Sequence, residues 1–166
     1  MPVAMENPWT LERCAGLLDL GRFELIGGEL VSKPPKSRGH MVTALLLGNW
    51  LIGVYGALLV PQCPSIDVHP EDNPTNDPAP DVAVLRRSIR DLSSIPGPEA
   101  LWFVAEVSST TLSFDLSVKA GLYARAGIVH RRPEDGLYQD VAAYGAGERV
   151  ATLGAPEQTI LVVELF

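Results

Sequence analysis

The sequence predicts a mixed α/β fold, and three observations carry that prediction. Apolar runs of strand length alternate with stretches of helical period. Paired glycines and prolines punctuate them, within a total of Gly 15 and Pro 14. Two of the strand-like runs also carry an acid at one end, Asp81 before Val82-Ala83-Val84-Leu85 and Glu106 after Leu101-Trp102-Phe103-Val104-Ala105. At 166 residues the chain fits one domain, residues 1–166, with enough length to bury a core.

The elements follow in order. Thr10 caps a first helix, with Glu12 in its opening turn and a stop at Gly21. Phe23-Glu24-Leu25-Ile26, Gly27-Gly28 and Glu29-Leu30-Val31 read as a hairpin, because paired glycines supply the positive φ angles of a tight turn. An apolar helix is expected from about Ser37 to Tyr55, with Leu45, Leu46, Trp50 and Val54 as core contacts, then a strand around Ala57 to Val60. Pro70 to Pro80 has no apolar period and reads as a loop. The Asp81 strand follows, then a segment from Arg86 to Pro98 that is partly short helix and partly loop. After the Glu106 strand a helix is expected from about Phe114 to Ala126, ended by a left-handed Gly127. Leu137 to Tyr144 and Ile160 to Val163 read as late strands, with turns at Gly145 to Gly147 and Gly154 to Pro156.

The acids carry the chemistry. A carboxylate beside a buried run is costly unless a partner neutralises it. Two of them about 5 Å apart repel by roughly 3 kcal/mol at an effective dielectric near 20. A divalent cation or a buried lysine removes that cost. Lys119 has Leu116, Leu122 and Tyr123 within one helical turn, so it either points at the carboxylates or pairs with Asp115 on the surface. Three unrelated surface charges remain the bland alternative. Glu29 opens a strand after a tight turn, where an exposed Glu is common, and a lone His40 is more often structural than a ligand. No Gly-rich phosphate loop, zinc spacing or nucleophile elbow is present.

Bulk properties set bounds. A formal net charge of −7 counts against a large basic DNA-binding face while leaving room for a small basic cleft. Cys14 and Cys63 lack metal-ligand spacing, and reduced thiols in the cytoplasm are the simplest expectation. The first residues lack the pattern of a signal peptide. Val42 to Val60 is long enough to raise a membrane-spanning reading, but Gly48, Gly53, Gly56 and Asn49 favour a helix buried on a sheet.

The segments Phe23 to Val31, Pro80 to Val84, Glu106-Val107-Ser108 and Lys119 to Ile128 resemble the Uma-two-type restriction endonuclease family, within the PD-(D/E)xK nuclease superfamily. The resemblance covers nearly the whole chain. It implies a restriction-endonuclease-like fold, a mixed central sheet flanked by helices, with an N-terminal helix and hairpin. It implies a metal-dependent endodeoxyribonuclease using magnesium or manganese on a DNA substrate, away from membranes, with a homodimer as a compatible assembly. Asp81 and Glu106 match the metal-binding acids, Glu29 matches the early acid, and Lys119 matches a lysine supplied by the following helix. Ser108 stands where the usual lysine would follow the second acid.

One departure favours a rival. After Ile128 the chain runs through Val129-His130 into Arg131-Arg132-Pro133, as though a strand pair with its turn, about 15 residues, were missing. The rival is a catalytically inactive nuclease fold that serves as a DNA-binding or protein-interaction module.

Overall fold

The computed structural model describes residues 8–18, 21–33, 35–61, 65–107, 115–128, 133–134, 137–138, 147–152 and 155–165. Helix α1, Leu11–Leu18, is capped as expected: Thr10 Oγ1 accepts from Arg13 N at 3.4 Å, and Gly21 turns the chain with φ 65°. Strands β1 (Phe23–Ile26) and β2 (Glu29–Ser32) form an antiparallel hairpin pairing Glu24 with Val31 and Ile26 with Glu29. Gly27 and Gly28 adopt φ 58° and 79°, the two left-handed residues of the tight turn. The turn is pinned from outside, since Gly27 N donates to Asn76 Oδ1 at 2.7 Å and Gly28 N to Thr75 O at 2.9 Å.

Helix α2, Arg38–Tyr55, begins where Ser37 Oγ accepts from His40 N at 3.1 Å and ends at Gly56, φ 92°. Its packed face is buried Leu51 with half-buried Leu47, Trp50 and Tyr55, set against Val60, Val82, Val84 and Phe103. Trp50 was expected there. Leu45 was too, but it is 56% exposed, and Leu46 and Val54 are only half-buried. The helix is apolar on nearly every side, so sequence period alone does not select the face that meets the hairpin. Among the described residues no helix is long and apolar enough to cross a membrane. The expected strand at 57–60 is instead a turn. Its Leu59 O accepts from Leu85 N at 2.7 Å and its Leu58 O from Ile89 N at 2.9 Å, so it flanks β3 without forming a ladder.

Strands β3 (Val82–Leu85) and β4 (Leu101–Ala105) form the central antiparallel hairpin, pairing Val82 with Ala105, Ala83 with Val104 and Val84 with Phe103. An irregularity at Trp102 then shifts the register. All of β3 is buried because both faces are covered. Val82 and Val84 face α2; Ala83, Leu85 and Val104 join Ile26, Ile66, Val68, Leu122, Tyr123 and Ile128 in the larger core. Leu122 and Tyr123 come from helix α3, Ala120–Arg125, which continues a wider π-helical turn at Asp115–Lys119. Gly127, φ 69°, closes it, and Ile128 N returns to Tyr123 O at 3.0 Å. Phe114, the expected first residue, lies outside the described residues.

The remaining strands are short: β5 (Pro133–Glu134) with β6 (Leu137–Tyr138), and β7 (Arg149–Ala151) with β8 (Thr159–Leu161). The expected strand from Leu137 is described only at its first two residues, and Gly145 and Gly154 lie outside the described residues. The late strand turns into a 3₁₀ segment, Val162–Leu165, one residue earlier than its expected end. The fold is therefore mixed α and β, with the N-terminal helix and hairpin in place. Among the described residues, however, the strands form four antiparallel pairs rather than one mixed central sheet.

Candidate active site

Continuing the β3–β4 register by one step places Asp81 opposite Glu106, on the same face as the Ala83–Val104 pair. Cross-strand neighbours have Cβ atoms about 4.5–5.5 Å apart. The closeness is also read in a bond, since Val107 N donates to Asp81 Oδ2 at 2.9 Å. An acid at each end of an apolar run becomes, by antiparallel pairing, two acids at one edge.

Glu106 lies against α3. Lys119 Nζ is 2.6 Å from its Oε1, and Tyr123 Oη donates to the same oxygen at 2.9 Å. Burial nonetheless pushes the Glu106 carboxyl above its ordinary value, beyond what Lys119 and Tyr123 recover, and nearby Asp81 adds to the rise. Lys119 is only 4% exposed, so it is not a surface lysine. It reaches a second acid too: Glu24 Oε1 on β1 at 3.3 Å.

Glu24 is the residue that sequence reasoning missed. It is 7% exposed and accepts from Ala79 N at 3.1 Å. The bridge between Leu25 and Asp77 draws the loop across β1 and delivers Pro80-Asp81 beside it. The criterion that singled out Asp81 and Glu106, an acid within an apolar run, also applies to Phe23-Glu24-Leu25-Ile26. Glu29 lies elsewhere. It is exposed at the turn end of β2 and lines a cavity with Ile26, Asp72, Asn76, Ser117 and Arg125, which Asp81, Glu106 and Lys119 do not line.

Asp81 has a different shell. Its Oδ1 meets Lys36 Nζ at 2.8 Å and His40 Nε2 at 2.9 Å. Burial is the largest influence and raises its carboxyl, but Lys36, the Val107 amide and His40 together outweigh burial and hold it below the ordinary value. Lys33 Nζ completes the set, 3.9 Å from Glu24 Oε1. Lys33, Lys36 and Lys119 are all the lysines in the chain, and each one meets an acid of this cluster.

The donor chemistry fits a hard divalent cation. Asp81 and Glu106 offer carboxylate oxygens, hard donors, from one edge. Among the described residues no group of at least three His, Cys, Asp or Glu side chains converges as a ready site. Magnesium characteristically keeps several waters and uses one or two carboxylates, so a pair is a sufficient donor set.

No curated protein matches the chain. Residues 11–163 match the sequence model of Uma2, described as "Putative restriction endonuclease". The match takes in the hairpin with Glu24, the Asp81–Glu106 pair and Lys119, and it spans most of the chain: the protein belongs to the Uma2 family, whose fold is restriction-endonuclease-like.

Proposed function

We propose that the protein is a divalent-metal-dependent endodeoxyribonuclease that hydrolyses phosphodiester bonds of DNA. The observation that carries this reading is the cross-strand pair Asp81 and Glu106 with the buried Lys119 ammonium 2.6 Å from Glu106. Asp81 and Glu106 would hold magnesium or manganese. Such an ion, when bound, supplies a water of lowered pKa and a Lewis acid for the phosphoryl oxygens.

The chain's own groups do the rest. Lys119 keeps Glu106 oriented and places a positive charge where negative charge gathers on the phosphate. Tyr123 fixes the same carboxylate from the next turn of the helix. Lys36, the Val107 amide and His40 hold Asp81 ionised, and the amide and His40 fix its carboxylate in place. Glu24 balances the rear of Lys119. Glu29, expected as a third ligand, has no part in this reading, being exposed at the turn end of β2 and lining a separate cavity.

A second reading, an inactive nuclease fold that binds DNA or protein, draws support from one observation. Asp81 Oδ1 already meets Lys36 and His40, so the acid is satisfied without a metal. Cleavage of double- and single-stranded DNA in magnesium or manganese separates the two. The nuclease reading expects wild-type cleavage abolished by EDTA, and a loss of about 100-fold or more in Asp81→Ala and Glu106→Ala with the fold retained by circular dichroism. Wild-type protein that cuts neither substrate in either metal overturns it.

A further inference from the structure

We propose that Lys36 is a displaceable counter-ion: it neutralises Asp81 in the metal-free protein and, once a divalent cation claims that carboxylate, carries its ammonium to a phosphate of the bound DNA. The inference rests on the nuclease reading and adds to it a substrate-binding role for a residue outside the acids and Lys119.

Asp81 has a limited capacity to accept. A carboxylate has about four lone-pair sites. Both on Oδ1 are engaged, by Lys36 at 2.8 Å and His40 at 2.9 Å, and Oδ2 accepts from Val107 N at 2.9 Å. A single negative charge cannot neutralise an ammonium and a dication together. One site on Oδ2 is left for a dication, which would repel the Lys36 ammonium bonded to the same carboxylate and weaken that contact most.

The structure distinguishes which partner yields. The Val107 amide belongs to the backbone that extends β4. His40 is fixed in the first turn of α2, and its side chain is 15% exposed. Lys119, buried at 4% and facing both Glu24 and Glu106, would leave Glu106 without a cation and Glu24 with only the more distant Lys33. Lys36 alone is 54% exposed, and it precedes the Ser37 cap on a flexible four-carbon stem. An ion pair this exposed contributes little, so exchanging it is cheap.

Its destination is also defined. Lys36 and half-buried Lys33 each meet an acid of the cluster, and exposed Arg38 follows two residues on in sequence, in a chain of net charge −7. Released from Asp81, the ammonium stays within reach of a polyanion held over that cluster. A phosphodiester next to the scissile one is the chemical group that fits, read as a charge and not as a base.

The test uses Lys36→Met, which keeps the stem and removes the charge, with Lys36→Arg and the distant exposed Arg87→Met as controls. Calorimetric titration of DNA-free protein with Mn2+ should show about 2- to 5-fold tighter binding in Lys36→Met and no change in Arg87→Met. DNA affinity measured in calcium across a salt series should show a slope reduced by about 1 in Lys36→Met and retained in Lys36→Arg. Unchanged or weaker Mn2+ binding in Lys36→Met overturns the displacement; an unchanged salt slope overturns the transfer to phosphate. If wild type cleaves DNA and either result is negative, the inference fails while the nuclease reading stands. If wild type binds no Mn2+, both fail.

Discussion

Lys119→Met is the most discriminating perturbation of the metal-free protein. Methionine fills much the same volume, so the change removes the charge while sparing the packing of α3. It leaves Glu24 and Glu106 facing each other's site without the cation that lay 3.3 and 2.6 Å from them. Glu106 need not stay charged: it can take up a proton instead, and that option caps the cost, while Glu24 keeps Lys33 at 3.9 Å. At pH about 7.5, protonating a glutamate of ordinary pKa near 4.3 costs about 4.4 kcal/mol; at pH about 5 it costs only about 1 kcal/mol. Breaking a buried pair typically costs about 3–5 kcal/mol, which agrees with the cap for one acid at neutral pH. The sign follows from linkage. In the variant the Glu106 carboxyl, already pushed up by burial, loses the lowering influence of Lys119 and stays above its unfolded value. Its contribution is thus fully favourable below the unfolded pKa and is lost as pH rises through the folded one. Urea denaturation in EDTA should therefore show a loss of about 3–5 kcal/mol at pH 7.5 that shrinks to about 2 kcal/mol or less at pH 5. A loss under about 1 kcal/mol at pH 7.5, or an equal loss at both values, would refute the placement of a charged lysine between two buried acids.

Three further outcomes are expected. Gly28→Ala should destabilise more than Gly27→Ala in urea melts: both residues have positive φ, costing about 1–2 kcal/mol, but a Cβ at Gly28 would also lie 2.6 Å from Pro8 Cβ while Gly27 has open space. Asp81→Asn and Glu106→Gln in EDTA should diverge with pH. Asp81, held low, contributes stability above its unfolded pKa that is lost as pH falls through the folded one; Glu106, pushed up, contributes stability that is lost as pH rises, so Glu106→Gln should gain on wild type across that window. Leu51→Ala on α2 should cost about 2–5 kcal/mol, whereas Leu45→Gln should stay within about 0.5 kcal/mol, because only the first is buried.

Local chemistry made much of this architecture legible in the sequence. Thr10, Gly27-Gly28, Ser37 and Gly127 each act within a few residues, through a cap or a left-handed φ, and each element boundary they announce is found. The apolar runs at 82–85 and 101–105 are equally plain. What the sequence conceals depends on long-range contact. Gly56 diverts 57–60 into a turn whose carbonyls, not a ladder, meet β3. The buried face of α2 is chosen by the hairpin it covers, since apolar residues surround the helix. At the site, Asp81, Glu106 and Lys119 stand out because charge beside apolar sequence is costly. Glu24 carries the same signal inside a shorter strand. His40 and Lys36 carry none, because only the path of the loop from Asp77 to Asp81 brings Asp81 to the start of α2.

The two acids of the pair are tuned in opposite directions, and that asymmetry bears on how a cation would enter. Asp81 has a backbone amide, a lysine and a histidine to itself, so its charge is well compensated without metal. Glu106 shares one ammonium with Glu24, and burial still wins. On the proposed reading Asp81 and Glu106 would hold the cation together; at Asp81 the cation would compete with the exposed Lys36, whereas the lysine on Glu106 is buried. Rapid-mixing measurements of Mn2+ binding would then show two phases in wild type. Lys36→Met should collapse them into one, because the slower exchange no longer has a competitor to remove; two unchanged phases in that variant would place the slow step elsewhere.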